Sequence, residues 1–465
     1  MKSKASNPEV RAVLTLLEAH LEAERRALRI PGMSVAVVTD QTTLWERGFG
    51  KANIQKGIPA TPRTVYRVAS ITKLFTATML LQLRDAGKLS LDDPVEKFLP
   101  AFKIKTRFAD SGPVTFRQVM AHMAGIPREG PLDRWAMKSS PPIEAVLESL
   151  KDAELTFPPM SRYKYSNLGI AILGSALEIA AGQGYVDYVS EHIFRPLEMR
   201  GSGFGHTPRL KARMATGYFT AEGTSPQVAP SRPDGGAFVP VGQMLSCVDD
   251  MAHFISFQFG DGAFGGRRIL TGSSLREMQS PVFMQPDWKT GTAIGWLLCR
   301  VCDYPALDFD GGNPGFTTDV MVIPELRLGI AVFTNTNTDP VSISRAALEL
   351  LVPVLRRFPL VDQSQAPAAQ KVDCRTYAGL YRGKWGYEME LRVREGHLEG
   401  IVPGSPTEDS QITFLPDGEH KFRMAGGPQD GERVVFETDE KGRVVRLRGL
   451  MIGFQSVVER VESST

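Results

Sequence analysis

The stretch that decides the fold is Tyr66-Arg67-Val68-Ala69-Ser70-Ile71-Thr72-Lys73-Leu74-Phe75-Thr76-Ala77-Thr78-Met79-Leu80. Its apolar pattern predicts a helix over residues 70–86 that stops at Gly87. Residues three apart share a helix face, so the Ser70 hydroxyl and the Lys73 amine can meet. The first helical turn has free N–H groups and a positive end, which favour an alkoxide on Ser70 and disfavour an ammonium on Lys73. The stretch therefore predicts a serine nucleophile with a lysine base.

The same Ser-x-x-Lys spacing occurs a second time, at residues 161–164. That copy follows Pro158-Pro159 and does not open an apolar helix. The spacing alone is therefore weak evidence. Without a second element, an ordinary helix-capping serine and a solvated lysine would explain Ser70 and Lys73 as well.

The second element is Tyr165-Ser166-Asn167, which directly precedes a predicted apolar helix over residues 167–182. A tyrosine with a pKa of about 10 is a poor base, but a neighbouring ammonium stabilises its phenolate. Tyr165 is thus a candidate base that shares a proton with Lys73, and its alternative role is simple packing. The Asn167 amide is suited to hold Lys73 and a substrate, and it would also cap the helix.

The order of predicted elements indicates an α/β (α+β) fold. Two strands are predicted within residues 32–50, and strands return at residues 319–323 and 328–334. Helices are predicted over residues 8–28 and 341–357. Elements from both ends of this region are expected to share one antiparallel sheet with helices on both faces.

A change of composition predicts two domains. Residues 361–371 are polar and rich in Ala and Pro, which is typical of a linker. They separate a catalytic domain of residues 1–360 from residues 372–465, where short alternating strands are divided by turns. We expect the second domain to be a small β-barrel.

The composition excludes several classes of partner. The 465 residues include 54 basic and 52 acidic ones, and a net charge of +2 gives no reason to expect nucleic acid or a membrane surface. There is no apolar run of about 18 residues and no visible signal peptide, so we expect a cytoplasmic protein. Cys299 and Cys302 form an isolated pair without further ligands, so neither a metal nor another cofactor is expected.

Two motifs carry a resemblance to a known family. Ser70-Ile71-Thr72-Lys73 and Tyr165-Ser166-Asn167, in this order, resemble the class C β-lactamase and penicillin-binding-protein superfamily, including its carboxylesterases and D-aminopeptidases. Further similar segments are residues 89–95, 114–127, 160–169 and 241–252. The resemblance covers residues 28–355 and implies a sandwich with an additional all-helical region. It also implies that residues 372–465 form a lipocalin-like barrel. His122, inside one of these segments, is interpreted as structural.

The third motif of that family departs from the usual pattern. The family carries Lys-Thr-Gly or His-x-Gly on a strand facing the serine, and Phe309-Asp310-Gly311 aligns with it here. The resemblance implies that the Gly312 amide, after Gly311, joins the Ser70 amide in an oxyanion hole. The cation that meets a substrate carboxylate is missing, and Phe309 takes its place. Whether Asp310 faces the site is left open.

Three functions follow from these motifs. The first is a carboxylesterase that forms an acyl-enzyme on Ser70, favoured by the missing cation. The second is a peptidase or amidase of the D-aminopeptidase or β-lactamase type. The third is an inactive homologue that binds a ligand, against which the complete set of Ser70, Lys73 and Tyr165 argues. The expected partner is a small-molecule ester or amide, and the oligomeric state is left open.

Overall fold

The computed structural model describes residues 7–132, 137, 139–220, 225–230, 234–357, 372–383, 388–394, 396–401, 411–426, 429–452 and 455–461. The chain divides into two compact units, Met1–Val361 and Asp362–Thr465. The predicted linker, residues 361–371, lies outside the described residues. The domain boundaries on either side of it therefore remain predictions.

The strands of the first unit range from short bridging pairs to long sheet strands. In chain order they are β1 (Gly32–Thr39), β2 (Thr42–Asn53), β3 (Ile58–Pro59), β4 (Tyr66–Arg67), β5 (Gly203–Phe204), β6 (Tyr218–Phe219), β7 (Gln227–Val228), β8 (Met244–Ser246), β9 (Ala263–Phe264), β10 (Arg267–Arg268), β11 (Phe283–Met284), β12 (Gly291–Thr292), β13 (Leu297–Val301), β14 (Tyr304–Asn313), β15 (Phe316–Ile323) and β16 (Leu328–Thr334).

Nine of these strands form one antiparallel sheet in the order β11-β12-β13-β14-β15-β16-β1-β2-β3. β1 pairs with β16, with Met33 opposite Thr334, so the first and last strands of the unit are neighbours. This confirms the predicted sheet shared by both ends of the region. A second sheet, β4-β8-β5, lies beside the turn that carries Ser70.

Helices lie on both faces of the nine-stranded sheet. The helices of the unit are α1 (Pro8–Ala27), α2 (Thr72–Asp85), α3 (Phe116–Met120), α4 (Ile143–Ser149), α5 (Asn167–Ala181), α6 (Tyr185–Val189), α7 (Pro208–Lys211), α8 (Val239–Gly242), α9 (Val248–Phe257), α10 (Gly272–Gln279) and α11 (Pro340–Leu355). Helices α1 and α11 lie on one face of the sheet, and α2, α5 and α9 lie on the other. Shorter 3-10 or π turns lie at Ala69–Ile71, Val95–Lys97, Leu150–Asp152, Ser190–Phe194 and Gly236–Phe238.

The side chains of β1 enter two hydrophobic cores, one on each face of the sheet. Successive side chains of a strand point to opposite faces. Val35 and Val37 belong to the core formed with α1 and α11. Ala36 and Val38 belong to the larger core that contains α2, α5 and α9. All eight residues of β1 are buried, as expected for a strand covered on both faces.

Two local differences from the predictions concern helix starts. The helix predicted over residues 70–86 consists of a 3-10 turn at Ala69–Ile71 followed by α2. The cap of α5 is Ser166, whose hydroxyl accepts from the Gly169 amide, and not Asn167 as predicted. The serine takes this role because it has the extended backbone of a cap residue, whereas Asn167 is already helical.

The second unit is a closed eight-stranded antiparallel barrel, which confirms the predicted fold class. Its strands are β17 (Gly379–Arg382), β18 (Glu388–Arg394), β19 (His397–Ile401), β20 (Gln411–Pro416), β21 (Lys421–Ala425), β22 (Arg433–Thr438), β23 (Val444–Ile452) and β24 (Gln455–Arg460). A 3-10 turn, Cys374–Tyr377, precedes them. Tyr381, Phe414 and Phe436 lie in its apolar centre.

Within the described ranges, no single helix is long and apolar enough to cross a membrane. One bent pair, Asn167–Ala181 with Tyr185–Phe194, meets the length and composition criteria only when its two parts are taken together, across a bend of 75°.

Candidate active site

The turn that presents Ser70 has an unusual backbone. Ala69 has φ +48°, a left-handed conformation that costs a residue with a side chain on the order of 1 kcal/mol or more. The turn is held from both sides, because the Val68 amide donates to the Met244 carbonyl at 3.1 Å and the Thr72 hydroxyl donates to the Ala69 carbonyl at 2.6 Å. The surrounding structure thus fixes Ser70, which is half-buried, at the edge of a cleft.

Ser70 lies between two groups that can carry its proton. Its hydroxyl oxygen is 2.7 Å from the Tyr165 hydroxyl, and the Lys73 ammonium donates to it at 3.0 Å. Lys73 is completely buried and also donates to the Val241 carbonyl at 2.8 Å. A buried ammonium needs such acceptors, because desolvation is otherwise costly. The structure therefore brings together the three residues that the two motifs single out.

The charges around Tyr165 act in opposite directions. Burial raises the pKa of Tyr165 to about 12, the hydrogen bond to Ser70 opposes this, and the Asp310 carboxylate adds to it. The Arg128 guanidinium lies 4.8 Å from the centre of the Tyr165 ring and lowers its pKa. The phenol is therefore protonated at neutral pH and can relay a proton between Ser70 and Lys73.

Asn167 is placed at the site by its position at the start of α5. It is buried and lines the cleft, and its side-chain amide donates to Glu129 at 2.6 Å. The sequence suggested that Asn167 holds Lys73. Lys73 donates to Ser70 and to the Val241 carbonyl, and a role of Asn167 in holding Lys73 stays a prediction.

His122 packs directly against Tyr165. The two ring centres are 4.5 Å apart, and the Nδ1 atom of His122 accepts from the Ser166 amide at 3.2 Å. Burial, followed by the nearby charges of Lys73 and Arg128, lowers the pKa of His122 to about 3. The ring is therefore neutral and carries its proton on Nε2. Its place agrees with the structural role expected from the sequence.

The third motif lies on β14 beside the Ser70 turn. Phe309 is only 2% exposed and belongs to the large core, although one edge of it lines the cleft. Asp310, the next residue of β14, is more exposed and also lines the cleft. Desolvation by the cleft walls nevertheless raises the pKa of its carboxyl. This carboxyl group in turn raises the pKa of Tyr165, so Asp310 is placed to influence the site.

Gly311 and Gly312 allow the strand to approach the nucleophile. A Cβ atom at Gly311 would lie 2.2 Å from the Val68 carbonyl oxygen and 3.0 Å from the Ser70 nitrogen, so only glycine fits. A Cβ atom at Gly312 would meet nothing within 4 Å. The close approach places the strand backbone after Gly311 next to the Ser70 amide, as an oxyanion hole requires.

The cleft has a volume of about 470 Å³ and is lined by polar and apolar groups. Its further lining residues are Arg67, Ala69, Arg128, Tyr163, Asp234, Phe238, Val241, Gly242, Gln243, Leu297 and Asn313. The part of the chain that the structure describes contains no group of three or more His, Cys, Asp or Glu side chains that could hold a metal ion.

Sequence reasoning missed two arginines of this cleft. Arg128 follows the family-like segment that ends at Pro127, and a cation next to such a segment was the available signal. Arg67 lies within the Ser70 stretch itself, but its ion pair with Asp234, at 2.8 Å, joins residues 167 positions apart. No sequence spacing predicts a contact of that length.

Comparison with known proteins agrees with this geometry. Residues 17–352 match the family profile described as Beta-lactamase. A human protein named beta-lactamase-like 1 is 30% identical over 401 residues, which are 82% of this chain and 78% of that protein. Beta-lactamase-like protein 2 of Dictyostelium discoideum is 30% identical over 373 residues, 76% of this chain and 66% of that protein.

Solved structures share the fold. The octameric penicillin-binding protein homologue from Pyrococcus abyssi superposes with a TM-score of 0.66 at 23% identity, over 96% of this chain and 99% of that one. A class C β-lactamase from Rhodobacter sphaeroides gives a TM-score of 0.62 at 21% identity, over 73% of this chain and 99% of that one. The profile match over most of the chain, together with the relatives at 30% identity, shows that the chain belongs to the beta-lactamase family.

Proposed function

We propose that the protein is a carboxylesterase that hydrolyses small esters through an acyl-enzyme on Ser70. The observation that carries the proposal is the double contact of the Ser70 hydroxyl, 2.7 Å to Tyr165 and 3.0 Å to Lys73. A nucleophile in contact with two proton carriers has the arrangement that acyl transfer requires.

In the proposed mechanism the fraction of the protein with Lys73 as the neutral amine reacts. The Ser70 oxygen attacks the ester carbonyl, and its proton passes through the Tyr165 hydroxyl to the Lys73 amine. The Ser70 and Gly312 amides stabilise the oxyanion. The same pair then protonates the departing alkoxide, which leaves as an alcohol. A water molecule attacks the acyl-enzyme, returns a proton to Ser70, and releases the carboxylic acid. No step requires a cofactor.

The charges of β14 favour a neutral ester over a substrate with a carboxylate. Phe309 offers no positive charge, and Asp310 places a carboxyl group in the cleft. A substrate carboxylate beside Asp310 would meet like charge, and charge-assisted hydrogen bonds of about 1.5–3 kcal/mol would be missing.

A second candidate, an amidase or β-lactamase type of hydrolase, is favoured by Arg128. Its guanidinium lines the cleft above Tyr165 and is exposed to solvent. A planar cation at this place can bind a carboxylate with two hydrogen bonds, and so replace the cation missing from β14.

The experiment is detection of an acyl adduct by intact-mass spectrometry, combined with hydrolysis rates, across nitrophenyl esters, D-amino-acid amides and β-lactams. We expect an adduct and turnover with esters, and loss of both in Ser70→Ala. Ser161→Ala is the matched control, because Ser161 belongs to the second Ser-x-x-Lys copy and its exposed hydroxyl donates to the Pro158 carbonyl at 2.7 Å. Full ester turnover by Ser70→Ala would disprove the proposal.

A further inference from the structure

A second cavity of about 690 Å³ lies next to the candidate active site. Its polar lining is strongly basic, and we call it the basic cavity. The cationic and ionisable side chains that line it are Lys56, Arg63, Arg67, His206, Lys211 and Arg213. No carboxylate lines it among the residues that the structure describes.

The positive charge of the basic cavity is only partly neutralised. Arg63 pairs with Asp249 at 3.2 Å, but its side chain is largely exposed, so that pair contributes little. Within the described ranges, Lys56, Lys211 and Arg213 form no ion pair. Arg67 is paired with Asp234 at 2.8 Å, so the remaining positive charge comes from the cations without an ion pair. Cations gathered in a concave site produce a positive potential that attracts negatively charged ligands.

The remaining walls of the basic cavity are largely apolar. They include Ile58, Met214, Val228 and Phe316. A pocket that combines an apolar surface with convergent charged groups is typical of sites that bind small molecules. We propose that the basic cavity binds a small anion with a short apolar body, of the alkyl phosphate or alkyl carboxylate class.

The basic cavity and the catalytic cleft share a wall. Arg67 and Asn313 line both spaces. The buried Arg67 guanidinium contacts Asp234, which lines the cleft, at 2.8 Å, and His206, which lines the basic cavity, at 2.9 Å. The bound anion is therefore either the far end of a long substrate or a separate ligand next to the cleft. Binding itself does not depend on chemistry at Ser70.

The test is calorimetric titration of the full-length Ser70→Ala protein with hexyl phosphate, and with hexanol as the neutral probe. We expect hexyl phosphate to bind and hexanol to bind at least about tenfold more weakly. The double variant Lys211→Gln/Arg213→Gln should weaken hexyl phosphate binding by at least about tenfold, since two charge-assisted contacts are lost. High salt should also weaken it, because the Debye length falls to about 3 Å at 1 M.

The matched control is Lys103→Gln/Lys105→Gln, which removes the same charge from residues that line neither cavity. It should leave hexyl phosphate affinity within about twofold, and circular dichroism should show both double variants folded. Equal affinity of the Lys211/Arg213 variant and the control, or no binding of hexyl phosphate, overturns the proposal.

Inhibition kinetics with the unmodified protein and a neutral nitrophenyl ester distinguish the two possibilities for the bound anion. Competitive inhibition by hexyl phosphate, lost in Lys211→Gln/Arg213→Gln, supports a cavity that holds the far end of the substrate. Non-competitive inhibition or activation, lost in the same variant, supports a separate ligand. Calorimetry decides the proposal even if no ester is hydrolysed, so its failure is distinct from a failure of the esterase proposal.

Discussion

Phe309 takes the place at which the resemblance expects a cation, and its side chain is buried at the junction of the core and the cleft. A missing charge-assisted contact of about 3 kcal/mol corresponds to about two powers of ten in rate. Asp310 in the same cleft adds like charge against a carboxylate. The proposed preference for neutral esters therefore rests on two neighbouring residues of β14.

We expect kcat/KM for a nitrophenyl ester to exceed that for a chromogenic cephalosporin by at least about 100-fold. Phe309→His should narrow this gap, because an imidazole N–H at this place can donate a hydrogen bond to a substrate carboxylate, at moderate cost in the core. Leu297→His is the control, since Leu297 also lines the cleft but lies on β13. If the wild type prefers the cephalosporin, the esterase proposal is wrong. The second candidate, a β-lactamase type of hydrolase in which Arg128 binds the substrate carboxylate, would then be favoured.

His122 links the pH dependence of folding to the site. The pKa of its imidazole is about 3 when folded and about 6.5 when unfolded, so between these values the unfolded chain binds a proton that the folded chain does not. His122 therefore contributes to the free energy of unfolding above pH 6.5, and this contribution is lost as pH falls toward 3.

His122→Gln should reduce the slope of the free energy of unfolding against pH by about 1 kcal/mol per unit below pH 6.5. The measurement is urea unfolding at several pH values between 4 and 7. His192→Gln is the control, because His192 is exposed. An unchanged slope in His122→Gln would contradict the assignment of a buried neutral imidazole.

Among the secondary-structure elements, β14 and the turn that carries Ser70 pack directly against each other. Gly311 lets the strand lie against Val68 and Ser70, and Thr318 of β15 donates to the same Val68 carbonyl at 3.0 Å. β14 and β15 of the large sheet thus fix the position of the Ser70 turn.

Gly311→Ala should lower kcat/KM for esters by about 100-fold or more, because an added methyl group would push β14 away from the Ser70 turn and disturb the oxyanion donors. Gly312→Ala keeps its backbone N–H and adds its methyl group in open space, so it should remain within about tenfold of the wild type. The measurement is steady-state kinetics together with the melting temperature of both variants. Equal activities of the two variants would show that the close approach is not needed.

At the scale of the whole molecule, all the residues of the candidate site lie in the unit Met1–Val361. The barrel unit, Asp362–Thr465, has its own apolar core. Each unit therefore has the internal packing that independent folding requires.

Limited digestion with proteinase K should cut first within residues 361–371, since a segment of that composition is expected to make few contacts. Mass spectrometry of the fragments identifies the cut, and the fragment that begins at residue 1 should retain ester hydrolysis. A first cut elsewhere, with residues 361–371 protected, would show that this segment is not a linker.

From the sequence alone we predicted the fold class and singled out Ser70, Lys73 and Tyr165, which the structure brings into contact. Periodic patterns in α2, α5 and β1 supported the fold class. The resemblance of the two motifs to a known family, rather than the spacing of Ser70 and Lys73 alone, singled out the three residues. The 3-10 turn at Ala69–Ile71 and the cap at Ser166 were not predicted, since both depend on contacts at helix ends rather than on periodicity.

The groups that surround Ser70 could be identified only in the folded chain. The contact of Ser70 with Tyr165 joins residues 95 positions apart, and that of Arg67 with Asp234 joins residues 167 apart. The tertiary structure also placed Asp310 in the cleft and Phe309 in the core, and it gathered the cations of the basic cavity. The physical reason is that side-chain direction and burial are set by the packing of the sheet against the helices, which no local spacing encodes.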